Sequence, residues 1–131
     1  PLQFDLQRND LNRIDREIIG HARASVHQWI LTTRAGYIYK RDEQIVGYGY
    51  DNGPFALLNE NDYPAVLAHA ESLAAEKGEE FGVEVPLINK KALQYFLERK
   101  YQLDAFTVLF MSNEPFGRFE NYLCISPIFF M

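Results

Sequence analysis

Cysteine is nearly absent from this chain, because Cys124 is the only one among 131 residues. A single thiol excludes an internal disulfide, which favours a protein of a reducing compartment, the cytoplasm. An excess of positive charge is also missing, since the formal net charge is −5. Proteins that bind nucleic acid usually carry a basic stripe, so nucleic acid is not expected among the partners.

Long apolar runs are missing as well. No stretch approaches the roughly twenty apolar residues of a membrane-spanning helix, and the first residues lack the apolar region of a signal peptide. Neither a membrane partner nor secretion is therefore expected. The three histidines, His21, His27 and His69, do not have the spacing of a helical metal-binding pair, so no metal is expected either.

Apolar residues are plentiful: they make up 47% of the chain, and aromatic residues make up 15%. This is enough to build a core, and the length suits one domain. We expect a single domain over residues 1–131, in which residues 1–34 form a helical lead-in and residues 35–131 form a mixed sheet with two helices.

The chain is organised around the stretch Gly53–Pro86, which has the pattern of strand, helix and strand. Phe55–Leu58 is a short apolar run after a turn, and Phe81–Val85 is a second run that ends at a proline. Between them, apolar residues recur at helical spacing, and Lys77 with Gly78 is typical of a helix end. Two strands joined by one helix of this length are most easily parallel neighbours in a right-handed crossover.

Periodicity predicts the remaining elements. Residues 1–8 are expected to be a loose lead-in or an edge strand. A helix is expected over Asp10–Ile19, with Asn9 or Asp10 as its N-cap and Gly20 as its stop. Two more helices are expected, over Arg23–Leu31 and from Asn89 to about Lys100. Two strands, Tyr37–Tyr39 and Ile45–Tyr50, are expected to form a hairpin. The apolar run Phe106–Met111 is expected to be a strand buried on both faces. A final extended segment is expected over Tyr122–Ile125 and Ile128–Met131, with Pro127 as the break between the two parts. This order predicts an α/β fold with a mixed sheet.

Two glycines alternate with tyrosines in the return strand of the hairpin. Gly47 and Gly49 lie on one face of that strand, because side chains alternate along a strand. They allow another backbone or a ligand to approach closely, or they mark a bulge.

The element order and four segments of sequence resemble the GNAT (Gcn5-related N-acetyltransferase) superfamily. The segments are DREIIGHARASVHQWIL, GYIYKRDEQIVGYGY, VEVPLINKKALQYFLERKY and EPFGRFENYL. The similarity covers about Ala35–Met111, and more specifically the chain resembles the C-terminal half of bacterial proteins with two tandem GNAT-like units. The resemblance implies that Phe55–Leu58 and Phe81–Val85 form a central parallel pair that splays apart to admit acetyl-CoA.

The resemblance also implies acetyl transfer to an amine of a small molecule or peptide. Glu84 is the implied general base, with Asp51 as the second choice, and Tyr95 is the candidate proton donor to the departing thiolate. The implied cofactor contacts are Leu57, Leu58, Asn59, Asn61 and Asn89.

Two features leave a second hypothesis open. The stretch Asn59–Pro64 has neither the glycines nor the arginine of a pyrophosphate loop, and its acidic residues suit an ordinary helix start. Phe96, which cannot donate a proton, stands at the usual tyrosine position, and Tyr95 is its neighbour. Asn89 is explained equally well as a helix cap.

The second hypothesis is a non-catalytic GNAT-like module that serves in dimerisation, in packing against an active half, or in ligand sensing. The expected partners are then a second copy of the chain or a second GNAT-like half. The apolar segment Ile125–Met131 is expected to be covered by its own sheet or by a second subunit.

Overall fold

A computed structural model of the protein describes residues 1–104 and 107–125. Along the chain, two helices are followed by three strands, two further helices and a fourth strand, so the predicted combination of helices and a sheet is confirmed, whereas the predicted mixed sheet is not. The helices are α1 (Phe4–Ile18), α2 (Ala24–Ile30), α3 (Tyr63–Lys77) and α4 (Lys90–Glu98). The strands are β1 (Gly36–Arg41), β2 (Gln44–Tyr50), β3 (Phe55–Leu57) and β4 (Tyr122–Leu123), and short 3-10 turns cover Glu60–Asp62 and Phe119–Asn121.

The four strands form one antiparallel sheet in the order β1-β2-β3-β4. The predicted hairpin is confirmed: β1 and β2 pair with Gly36 opposite Tyr50, and the register shifts by a bulge between Tyr39 and Lys40. Local signals sufficed here, because a tight turn fixes both the pairing and the register of a hairpin.

The predicted parallel strand pair is not formed among the described residues, and this prediction is corrected. β3 pairs antiparallel with β4, and the stretch Phe81–Val85 contributes only an antiparallel bridge between Glu84 and Cys124. Both segments oppose the same C-terminal stretch, so they run in one direction as the crossover requires. Residues 122–124 lie between them, however, which a local pattern cannot reveal because strand neighbours are chosen by long-range packing.

The two faces of the sheet are covered by different helices. Side chains alternate along each strand, so Tyr48, Tyr50 and Ala56 join α1 and α2 in one apolar cluster. Phe55 and Leu57 join α3 and α4 in a second cluster on the opposite face. The sheet is thus the middle layer between two pairs of helices.

Helix α1 begins earlier than predicted. Phe4 is its first residue, so residues 4–8 are helical, and neither Asn9 nor Asp10 is the N-cap. The backbone N–H of Gln3 instead donates to Gln7 Oε1 at 2.7 Å, which satisfies a donor at the start of the helix. Gly20 follows the helix at a φ of +108°, as expected of a stop.

The glycine face of β2 is filled by the chain itself. A Cβ at Gly49 would collide with the ring of Phe55, and a Cβ at Gly47 would collide with the backbone and side chain of neighbouring β3 residues. Both predicted roles are observed: β3 approaches closely, with Phe55 at Gly49 and with Ala56 and Leu57 at Gly47, and the bulge between Tyr39 and Lys40 lies beside Gly47.

The apolar run Phe106–Met111 is not the predicted buried strand in its described part. Residues 107–111 have no regular secondary structure and are exposed, and Phe106 lies outside the described residues. Of the final predicted segment, Tyr122–Leu123 is a strand and Ile125 is buried, whereas Ile128–Met131 lies outside the described residues. Apolar composition alone could not distinguish a buried run from an exposed one.

Candidate functional site

The predicted pyrophosphate position, between β3 and α3, is held by the chain's own polar groups. Asn59 Oδ1 accepts a hydrogen bond from the Asn61 N–H at 2.9 Å and so closes the turn before α3. Asp62 forms an ion pair with Arg41. Since Pro64 lacks an N–H and a carboxylate already lies at this helix start, the position is poor in donors and unfavourable for a second anion.

Leu57 and Leu58, both predicted cofactor contacts, are engaged within the sheet. Asn121 Nδ2 donates to the carbonyl oxygens of Leu57 at 2.7 Å and Leu58 at 3.1 Å. The Leu58 N–H donates to the Val46 carbonyl at 2.8 Å, and the Leu57 side chain is fully buried. In a splayed strand pair, these backbone groups would be free to bind a ligand. Here they already form hydrogen bonds within the protein.

Asn89 is buried and uses both ends of its side-chain amide. Its Oδ1 accepts from the Ala92 N–H at 3.2 Å, which caps α4, and its Nδ2 donates to the Tyr122 carbonyl at 3.0 Å. The capping hypothesis is confirmed, and the second bond ties α4 to the C-terminal strand.

Tyr95 connects α4 to α3. Its hydroxyl donates to Glu71 Oε2 at 2.7 Å, and Arg99 Nε donates to Glu71 Oε1 at 2.9 Å. Partial burial, followed by the hydrogen bond to Glu71, raises the pKa of Tyr95 above its usual value. A raised pKa makes the hydroxyl a weaker acid, which does not suit the predicted proton donor.

Glu84 lies in the backbone bridge at the far side of β4. Its carbonyl accepts from the Cys124 N–H at 2.9 Å, and its side chain is partly buried. Burial, with a smaller effect of the Glu84 charge, raises the pKa of the Cys124 thiol to about 11. Cys124 is thus a buried, protonated thiol. Asp51, the second base candidate, is paired with Lys77 at 2.7 Å.

The structure brings only part of the predicted site together. Leu57 and Asn89 bond to neighbouring residues, since Asn121 contacts the first and Tyr122 the second. Tyr95 bonds to Glu71 instead, and no hydrogen bond or ion pair within the described ranges joins it to Glu84.

A buried ionic network lies on the opposite face of the sheet. Asp15 is fully buried and accepts hydrogen bonds from the Tyr48 hydroxyl and from His27 Nε2, both at 2.7 Å. Arg23 Nε lies 3.4 Å from the same carboxylate, and His27 Nδ1 lies 2.7 Å from the Tyr50 hydroxyl. A neutral imidazole with its proton on Nε2 satisfies both contacts, because it donates to Asp15 and accepts from Tyr50.

Burial would by itself raise the pKa of Asp15. The hydrogen bond from His27 and the charge of Arg23 outweigh it and hold the pKa of this carboxyl below its usual value. The Arg23 guanidinium also donates to the hydroxyls of Tyr48 at 3.1 Å and Tyr122 at 3.3 Å. The network thus connects α1, α2, β2 and β4 through one carboxylate. Its groups are buried and bonded to one another, so it stabilises the fold and is not accessible as a binding site.

Sequence reasoning missed this network, although one signal was available. Asp15 stands four residues after Leu11 and three before Ile18, so a carboxylate occupies the apolar stripe of α1. A charged residue on a buried helical face requires a partner, and His27 is the matching polar residue in α2.

A second feature is an exposed apolar patch, which is the candidate interaction site. Its core is the segment Thr107–Met111, in which Leu109 is 83% and Met111 is 79% exposed. An open groove of about 430 Å³ adjoins the segment, and its lining combines apolar residues with the polar Ser112 and the charged Glu120; the apolar residues are Ile88, Phe110, Pro115, Phe116 and Phe119. We define the apolar patch as Leu87, Ile88, Val108, Leu109, Phe110, Met111 and Phe116.

The patch is anchored to the core by aromatic contacts. The rings of Phe110, Phe116 and Phe119 form a triangle with centroid separations between 5.6 and 5.9 Å. Phe119 in turn meets the buried Tyr122 ring at 6.1 Å. The groove wall is therefore connected to the sheet through packed side chains.

The described residues contain no group of three or more His, Cys, Asp or Glu side chains placed to hold a metal. No helix in residues 1–104 or 107–125 is long and apolar enough to cross a membrane. Comparison of the chain with protein-family models, with curated proteins and with solved structures gave no match.

Proposed function

We propose that this chain is a non-catalytic GNAT-like module that acts by docking against another protein surface. One observation carries the proposal: the groups from which cofactor binding was predicted are already engaged inside the fold. Asn121 occupies the carbonyls at the end of β3, and Asn89 uses both ends of its amide. A ligand there would have to displace buried hydrogen bonds that cost about 1–3 kcal/mol each to leave unmade.

The exposed apolar patch supports the docking half of the proposal. Monomeric proteins rarely expose contiguous apolar areas beyond a few hundred Å² unless the area has a binding role. Here Leu109 and Met111 are almost fully exposed although they belong to an uncharged apolar run. A module of this kind acts through its surface, and the buried network around Asp15 stabilises the fold that carries the surface.

Thermal unfolding with acetyl-CoA tests the non-catalytic half. A site filled at a hundred times its dissociation constant adds about 2.7 kcal/mol of stability, which raises the melting temperature by several degrees. We expect no concentration-dependent rise up to millimolar acetyl-CoA, and no release of CoA in the presence of small-molecule or peptide amines. A known acetyltransferase in parallel is the positive control. A saturable rise together with CoA release would contradict the proposal.

Acetyl transfer remains the second candidate because one observation favours it. The segment at Glu84 and strand β3 run in the same direction, and α3 connects them, as in the crossover that the GNAT resemblance implies. If the chain is active, Glu84→Gln and Tyr95→Phe should each reduce CoA release by about 10²–10⁴-fold while the fold is retained. Unchanged release in both variants would exclude the predicted base and acid.

A further inference from the structure

We propose that two copies of this chain associate by antiparallel pairing of the segment Thr107–Met111 with the same segment of a second copy. This inference rests on the proposed function, since it names the partner of the docking surface. It depends on three properties of the segment: its unpaired backbone, its composition and its exposed area.

The backbone of the segment has no hydrogen-bond partner within residues 1–104 and 107–125. None of the backbone hydrogen bonds that the described residues form involves Thr107–Met111. Peptide N–H and C=O groups require a partner, either water or another strand. A segment without regular secondary structure, whose backbone groups make no such bonds within the described part of the chain, can therefore accept an added strand.

The composition of the segment suits a strand. Its five residues, Thr107, Val108, Leu109, Phe110 and Met111, include two β-branched side chains and one aromatic, with no charge and no proline. Five residues span about 17 Å, a usual strand length. Alternation places Val108 and Phe110 on one face and Leu109 and Met111 on the other, and only Phe110 is held by the Phe116 and Phe119 rings.

Antiparallel self-pairing also closes the assembly. When a strand pairs antiparallel with its own copy, each contact is repeated by a two-fold axis and the assembly ends at two chains. A pairing centred on Leu109 places Val108 opposite Phe110 of the second copy and Thr107 opposite Met111. An off-centre pairing would instead leave residues at the ends of the segment without a cross-strand partner.

The exposed area is sufficient for a stable dimer. The seven side chains of the apolar patch are between 39% and 83% exposed. Together they present on the order of 800 Å² per chain, which matches the area that each partner contributes to a standard interface. The patch contains no charged side chain, so the net charge of −5 is carried elsewhere on the chain.

Sedimentation of the 131-residue chain over a range of concentrations tests the pairing. We expect a monomer–dimer equilibrium in which Leu109→Lys raises the dissociation constant about a hundredfold or more, because a central apolar contact is lost twice. The matched control is Leu6→Lys, since Leu6 is 73% exposed but lies on α1. Melting temperatures of both variants, measured where each is monomeric, should equal that of the parent.

A cross-linking variant tests the register. In the centred pairing, Leu109→Cys places two thiols opposite one another, within reach of a disulfide. We expect rapid formation of a covalent dimer with L109C and little with Leu6→Cys. The natural thiol of Cys124 is buried and does not interfere.

The proposal is overturned if the parent chain is a monomer at every concentration, or if L109K associates as well as L6K does. Equal cross-linking of L109C and L6C would exclude the centred register. These outcomes are separable from the proposed function: a dimer that binds acetyl-CoA would overturn the non-catalytic proposal alone, and a monomer that does not bind it would overturn the pairing alone.

Discussion

Replacement of Asp15 by asparagine should destabilise this protein more than any exposed change on the same helix. The carboxylate is fully buried and receives hydrogen bonds from Tyr48 and His27 at 2.7 Å, with Arg23 at 3.4 Å. Asp15→Asn keeps the size of the side chain but removes its charge, so the buried Arg23 guanidinium loses the opposite charge that Asp15 supplies. Breaking a buried ion pair in this way costs about 3–5 kcal/mol.

That cost is large compared with the total stability of a domain, which is about 5–15 kcal/mol. Urea unfolding followed by circular dichroism measures it. The matched control is Asp10→Asn, because Asp10 lies on the same helix and forms only an exposed pair with Arg13 at 3.7 Å. We expect the control to change the free energy of unfolding by less than about 1 kcal/mol.

The cost should also depend on pH. Because the pKa of Asp15 is lower in the folded protein than in the unfolded chain, its stabilising contribution is fully present above the unfolded value of about 3.9. The contribution is lost as the pH falls through the lowered folded value. The difference between the parent and Asp15→Asn should therefore be constant near neutral pH and shrink in strong acid. Equal stability of the Asp15→Asn and Asp10→Asn variants, or a difference independent of pH, would refute the role of the network.

Two further substitutions test the packing of the sheet. Asn89→Ala should lower the free energy of unfolding by about 2–4 kcal/mol, because it removes the α4 cap and the hydrogen bond to the buried Tyr122 carbonyl. A decrease of only about 1 kcal/mol would mean that Asn89 acts as a cap alone. Gly49→Ala should lower the free energy of unfolding by about 1–3 kcal/mol, because a Cβ at this position collides with the Phe55 ring. Gly82→Ala is the control, because a Cβ there has no atom within 4 Å. Urea unfolding measures both, and a Gly49→Ala variant as stable as Gly82→Ala would show that the ring can move aside.

The parts of the fold that local chemistry controls could be predicted from the sequence. Helix α3 spans Tyr63–Lys77 as its apolar spacing indicates, and Gly78 ends it in the left-handed conformation at a φ of +69°. Asn89 begins α4 as a cap. Each of these depends on residues within a few positions of one another, so a pattern in the sequence carries the necessary information.

The remaining features depend on contacts that are distant in sequence. Arg23 and Tyr122 are 99 positions apart, and no periodicity connects them. The pairing of β3 with β4 also depends on residues that are distant in sequence. The crossover fixes the direction in which Phe81–Val85 runs, but it does not fix which strand pairs with β3. The predicted cofactor contacts inherited that error, since the backbone at Leu57 and Leu58 is free only if the strand pair splays.

The position of residues 122–124 between β3 and the segment at Glu84 also has a consequence for the order of folding. Asn121 and Leu57 are 64 positions apart, yet they must meet before the layers on both sides can be completed. The β1–β2 hairpin and the helices can form early, because their contacts are local. During synthesis, the β3 edge that pairs with β4 stays unpaired until β4 emerges, and it is exposed to wrong pairings for that whole interval.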